Sequence, residues 1–151
     1  MPQSFAAVYL HLVFSTKSRY PWLADKDLRT EMHRYLAACS NELKCPALDV
    51  GGVEDHIHVL AQLPRTLAIA DWVKEVKRVS SHWAKTRTPA WEGFGWQNGY
   101  GVFSVSHRNL PQARAYLQQQ EAHHRQQTFQ DEYRGLLRAH GVVWDEAHVW
   151  D

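Results

Sequence analysis

Cysteine is scarce: the 151-residue chain has two, Cys39 and Cys45. They are too few and too oddly spaced for a zinc knuckle or a disulfide framework. No stretch approaches the about 20 consecutive apolar residues that a membrane span needs, and the first residues lack the basic-then-apolar order of a secretory signal. There is no Gly-Lys-Ser/Thr phosphate loop, no dinucleotide fingerprint and no Gly-x-Ser-x-Gly elbow, which argues against nucleotide-fuelled chemistry and that class of hydrolase. Internal repeats and low-complexity tracts are missing as well. So is a large charge of either sign: 17 Lys and Arg against 16 Asp and Glu leave +1, which speaks against a histone-like binder. The expectation is a soluble protein of a reducing cytoplasm, a single domain spanning residues 1–151 with a core of about 5–106 and a helical arm of about 109–151.

The charge that is present is unevenly spread. From Lys74 to Arg114 there are seven basic residues (Lys74, Lys77, Arg78, Lys85, Arg87, Arg108 and Arg114) against two acidic ones. From Glu121 to Asp151 three basic residues face six acidic ones. A basic middle beside an acidic tail permits a local polyanion site, although a solvated face of mixed charge accounts for it equally well.

Hydrophobic periodicity predicts the elements. Residues 6–16 read as a strand, with Val8, Leu10, Leu12 and Phe14 on one face and Tyr9, His11 and Val13 on the other. Asp25 is a helix cap ahead of Leu28, Met32, Leu36, Cys39 and Leu43 at helical spacing. Residues 47–53 and 56–63 read as two strands joined by a short turn. A second helix over 67–85 buries Ile69, Trp72, Val73, Val76, Val79 and Trp83. A Gly- and Trp-rich loop follows, then a strand over 100–106. Asn109 reads as the cap of a third helix, with Pro111 in its first turn and its end near His124. A short helix over 129–139 stops at Gly141. The order β-α-β-β-α-β is that of the ferredoxin-like (RRM-like) α+β fold, an antiparallel sheet with two helices on one face, followed here by C-terminal helices. Many unrelated functions use it, so the fold decides nothing about function.

Two groups of residues carry possible chemistry. In the run Glu54-Asp55-His56-Ile57-His58-Val59-Leu60, strand period puts both imidazoles on one face and Ile57 and Val59 on the other. Such a pair can grip a divalent metal with a third ligand from elsewhere. With ten histidines, roughly 0.7 His-x-His pairs arise by chance, so two polar residues on a solvated sheet face explain the motif as readily. In Tyr116-Leu117-Gln118-Gln119-Gln120, helical spacing brings Tyr116 and Gln120 to one face. A tyrosine attacks phosphorus when metal and basic groups stabilise its phenolate, and a glutamine amide oxygen can complete a metal site. A half-buried tyrosine is the plainer account. His123 and His124 diverge as neighbours on a helix and read as surface residues, while His11 reads as a hydrogen-bonding group on the first strand. Trp72 and Trp83 read as core; Trp91 and Trp96, in the Gly-rich loop, read as platforms for unpaired bases.

In order along the chain, the stretches 9–14, 51–60, 76–83, 96–106 and 116–124 resemble the single-tyrosine transposases of the insertion sequence 200/605 group, a branch of the HUH (His, hydrophobic, His) endonucleases. The likeness covers nearly the whole chain. It implies that His56 and His58 are the metal-binding pair, Gln120 the third ligand and Tyr116 the catalytic nucleophile. It further implies Mg²⁺ or Mn²⁺ as cofactor, single-stranded DNA with hairpins as partner, and a 5′-phosphotyrosine intermediate that rejoins strands without ATP. A homodimer in which the tyrosine helix serves the partner's metal site belongs to the same expectation. Lys74, Lys77, Arg78, Lys85, Arg87 and Arg108 are candidate DNA-backbone contacts, with salt-sensitive binding as the consequence. Val79 stands where many relatives have Gly, outside the four chemical positions. Two other readings remain open: a domesticated relative that processes repeated palindromes, and a non-catalytic hairpin-binding module.

Overall fold

Period-two alternation in the first strand, β1 (Tyr9–Ser15), sends Leu10, Leu12 and Phe14 to one face of the sheet and His11 and Val13 to the other. The computed structural model describes residues 1–151. After β1 come helix α1 (Lys26–Glu42), strands β2 (Ala47–Gly52) and β3 (His56–Gln62), helix α2 (Ile69–Arg87) and strand β4 (Gly101–Val105). The strands form one antiparallel sheet in the order β2-β3-β1-β4. That is the ferredoxin-like arrangement, with the two β-α-β units interleaved at the centre. Asp25 caps α1 as expected, its Oδ1 accepting from the Asp27 and Leu28 amides at 2.9 and 3.0 Å. No helix is long and apolar enough to cross a membrane.

The main core lies between the sheet and α1 and α2. Leu10, Leu12, Phe14, Ile57, Val59 and Ala61 meet Met32, Leu36, Trp72, Val73 and Val76 there. Each fully buried side chain of this size contributes about 1.5–3 kcal/mol of hydrophobic stabilisation. The Gly-rich loop closes the same core, which corrects one expectation. Trp91 and Trp96 are 2% and 8% exposed, and their indole N–H groups donate to the Trp22 carbonyl and the Ser80 hydroxyl at 2.7 and 2.9 Å. Trp96 stands edge-on to Phe14 and Phe94. These rings fill the end of the core and are not base-stacking platforms.

The second sheet face is covered too. Helices α3 (Leu110–Gln118), α4 (Gln120–His123) and α5 (Phe129–Ala139) follow β4, and Phe129, Tyr133 and Leu137 pack on Val13 and Phe103. The sheet is therefore the middle of three layers. The single third helix of the sequence reading is broken at Gln119 (φ −101°, ψ 15°), whose amide is shared by the Ala115 and Tyr116 carbonyls. Asn109 makes no side-chain cap; it ends a 3₁₀ turn that leads directly into α3. Gly51 seats α3 on β2: a Cβ there would lie 2.3 Å from the Leu117 carbonyl oxygen. Gly141, at φ 67°, terminates α5 as expected.

Candidate metal and tyrosine site

β3 presents His56 and His58 to the second layer, where both are fully buried. The short α4 brings Gln120 over them, with its Oε1 3.2 Å from His56 Nε2. One turn earlier on α3, the Tyr116 ring stands edge-on to His58, centroids 5.7 Å apart. The break at Gln119 does not separate the pair, because the Gln120 side-chain amide still reaches the Tyr116 carbonyl at 3.4 Å. The four residues singled out by sequence thus meet in one place, all on the same chain.

Two further residues complete the cluster. Glu132 of α5, 3% exposed, is its centre. Its Oε1 lies 3.1 Å from His58 Nε2, 3.1 Å from His124 Nε2 and 3.2 Å from His56 Nε2. Its Oε2 accepts from Gln120 Nε2 at 3.1 Å and from the Tyr116 hydroxyl. His124 is a correction to the sequence reading: α4 is a single turn, so the chain swings inward after it, leaving the His124 side chain 8% exposed and that of His123 38%. Glu132 is absent from the sequence reading altogether. The one signal for it is its place between Phe129 and Tyr133 on the buried stripe of α5, where periodicity calls for an apolar residue.

The donors suit a divalent cation. Ligand atoms of His56, His58, His124 and Glu132 all lie within 4.8 Å of one another. Every imidazole aims Nε2 inward and has Nδ1 bound from outside: by Asp55 Oδ1 at 2.7 Å, by His11 at 2.7 Å and by the Gln127 carbonyl at 2.8 Å respectively. Such outer partners orient metal-binding histidines. Burial opposes charge on His56, but its hydrogen bonds to the Asp55 and Glu132 carboxylates outweigh this and raise it to about 9. Burial lowers His58 to about 4 despite Glu132. Burial also opposes ionisation of Glu132, yet hydrogen bonds from His124, His56 and His58 hold its carboxyl far below the usual range. Burial and then the Glu132 charge push the Tyr116 phenol well above its ordinary value.

The basic candidates do not converge here. Lys74, Lys77, Arg78, Lys85 and Arg87 ride on α2, across the sheet from the histidines. Lys77 is a structural cation: its ammonium donates to the Gln97, Asn98 and Gly99 carbonyls at 2.8, 3.1 and 2.7 Å, beneath the Phe14 and Tyr100 rings. Burial lowers it to about 8. Arg78 and Arg87 form bidentate pairs with Glu75 and Glu31. Lys74, Lys85 and Arg108 are exposed. Beside the cluster itself, a polar cleft of about 500 Å³ is lined by Arg19, Arg125, Gln126 and His124 together with the carboxylates of Glu54, Asp55 and Asp131. Neither Arg19 nor Arg125 belongs to the candidates drawn from sequence.

Comparison with known proteins identifies the arrangement. Residues 4–120 match the family described as "Transposase IS200 like". The chain belongs to the IS200-like transposases. The matched stretch contains His56, His58, Tyr116 and Gln120 and stops before His124 and Glu132. The ISDra2 transposase TnpA of Deinococcus radiodurans is 27% identical over 117 residues, covering 73% of this transposase and 81% of its relative. A crystal structure assigned as a transposase from Deinococcus radiodurans R1 superposes with a TM-score of 0.60 at 22% identity, covering 80% and 96% of the two chains. A REP-associated tyrosine transposase bound to a REP hairpin gives 0.60 at 10% identity, covering 82% and 73%. These two likenesses establish the fold. As an IS200-like transposase, the protein is an enzyme acting on DNA.

Proposed function

We propose that this transposase cuts and rejoins single-stranded DNA beside hairpins, with Tyr116 as nucleophile and a divalent metal, Mg²⁺ or Mn²⁺, held by the histidine cluster. The observation that carries the reading is the meeting of Tyr116, Gln120, His56 and His58 around one buried carboxylate. The whole chain is the working unit, the sheet supplying the histidines and the arm from about 109 onward the tyrosine and Glu132.

His56, His58 and Gln120 would hold the metal, and His124 and Glu132 add two donors of their own. When bound, it supplies positive charge that neutralises and polarises the scissile phosphate. The Tyr116 oxygen attacks phosphorus, forming the phosphotyrosine bond, while the bond to the departing 3′-oxygen breaks and that oxygen takes up a proton. The phenolic proton passes to water, while Glu132 Oε2, which accepts the Tyr116 hydroxyl in a hydrogen bond, would orient the attacking oxygen. The phosphodiester stored on Tyr116 is then attacked by a strand's 3′-hydroxyl, reversing the bond changes without ATP. Arg19 and Arg125, which line the cleft beside the cluster, would contact the backbone of a strand leaving it. The hairpin as partner is supported by the REP hairpin carried by the structural neighbour.

The test is a denaturing gel of the protein with end-labelled single strands from both flanks of its gene, with Mn²⁺ or with EDTA. A metal-dependent covalent band that disappears in Tyr116→Phe is expected. A band of undiminished intensity in that variant assigns the nucleophile elsewhere. Hairpin binding without any band in the wild type turns the reading to a non-catalytic module.

A further inference from the structure

His11 lies outside the donor set yet touches it. It stands on β1 two residues before Val13, which pairs with His58 in the sheet register. Its Nε2 is 2.7 Å from His58 Nδ1, the rings 5.0 Å apart between centroids. His11 is 7% exposed and His58 wholly buried. A contact of 2.7 Å between two neutral imidazoles contains one proton, so one ring donates and the other accepts.

The far side of His58 decides which. Glu132 Oε1 is 3.1 Å from His58 Nε2, and an ionised carboxylate only accepts. Without metal, His58 therefore carries its proton on Nε2, and its Nδ1 accepts from the His11 Nε2–H. A histidine bound to metal through Nε2 has no proton there. Neutral His58 must then carry its proton on Nδ1 and donate it to His11 Nε2, which requires the His11 proton to sit on Nδ1.

We propose that His11 is a positioning residue that exchanges tautomer together with His58, so that His58 is hydrogen-bonded and neutral both with and without metal. This rests on the metal reading of the cluster. The protons balance: one leaves His58 Nε2 for water, one moves from His11 Nε2 to His58 Nδ1, and one from water joins His11 Nδ1. Each ring holds one proton before and after, and no charge changes. The other outer partners cannot do this. The Asp55 carboxylate and the Gln127 carbonyl only accept, so they fix His56 and His124 as Nδ1–H donors throughout. An imidazole, able to donate or accept, is what the position behind His58 requires.

The experiment uses the ¹⁵N-labelled full chain and long-range ¹H–¹⁵N correlation of the imidazoles, without metal and with Zn²⁺ as a diamagnetic probe. Both His11 and His58 are expected to pass from Nε2–H to Nδ1–H on addition of Zn²⁺. An unchanged His11 tautomer while His56 and His58 respond overturns the exchange and leaves the metal site standing. No response at His56 and His58 overturns both. Titration calorimetry with Zn²⁺ gives a second readout. His11→Gln, whose amide donates and accepts, is expected to bind within about threefold of wild type, and His11→Leu about 10–100-fold more weakly. Equal losses in the two variants, or none in His11→Leu, reduce His11 to packing and overturn the proposal. Should His11→Leu fail to fold, the tautomers of the wild type decide alone.

Discussion

Single residues in this transposase carry charge where the fold is dry, and each makes a measurable demand. Glu132 is the sharpest case: one carboxylate serves three imidazoles, an amide and a phenol. Glu132→Gln keeps the shape and removes the charge. Mn²⁺ affinity should fall at least about tenfold, in line with the loss of a metal-site group, and the Tyr116 phenol should titrate lower because a repelling anion is gone. Calorimetry and ultraviolet titration of tyrosine check the two effects; unchanged affinity would remove Glu132 from the donor set. His33 on α1 makes a different demand. Its Nε2 is buried with no partner, and burial followed by the Arg29 charge lowers it to about 4 from 6.5. The unfolded chain therefore binds the extra proton first as pH falls. Stability from this group is complete above pH 6.5 and is lost as pH drops toward about 4. Denaturant unfolding at pH 7 and pH 4.5 should show His33→Gln losing about 1–3 kcal/mol less than wild type on acidification. Parallel losses would show that His33 does not titrate as its burial requires.

Elements matter here through the angle at which helices approach the sheet. α3 can lie on β2 because Gly51 has no side chain at the point where the Leu117 carbonyl arrives. Gly51→Ala should lift α3 and carry Tyr116 with it, while β2 remains paired to β3. Overpacking of this kind costs about 1–3 kcal/mol, and a displacement of even about 1 Å at a reacting atom can cost about a hundredfold in rate. Covalent adduct formation should therefore fall far more than the melting temperature would suggest. Wild-type adduct yield from Gly51→Ala would show that α3 is held elsewhere. Two side-chain tethers add to this: Glu121 of α4 binds the nearly buried Arg29 of α1 at 2.8 Å, and Gln118 of α3 reaches Asp49 of β2 at 3.2 Å. Short helices with little apolar surface, such as α4, depend on such side-chain ties rather than on their own propensity.

At the scale of the whole molecule, legibility follows the range of the interaction. The strand alternation, the Asp25 cap, the Gly141 stop and the His56–His58 and Tyr116–Gln120 pairs are set by neighbours in sequence, and periodicity reveals them. What escapes depends on distant contacts. Trp91 and Trp96 look like loop aromatics until the loop is folded onto Phe14, and Lys77 looks like a free cation until three carbonyls gather around it. Glu132 and His124 acquire their place only when α5 and the turn after α4 are packed against β3. The same packing bears on assembly. The resemblance implies a tyrosine shared between subunits, whereas this chain brings its own Tyr116 to its own histidines. Mixing inactive Tyr116→Phe with inactive His56→Ala separates the two arrangements. If each chain works with its own tyrosine, the mixture should form no more adduct than either variant alone, at any protein concentration. If helices are exchanged, each mixed pair contains one intact site, and adduct should return to about a quarter of the wild-type level by random pairing of symmetric dimers. Recovery that rises with protein concentration would assign the single-chain site to the resting state and place the working tyrosine in trans.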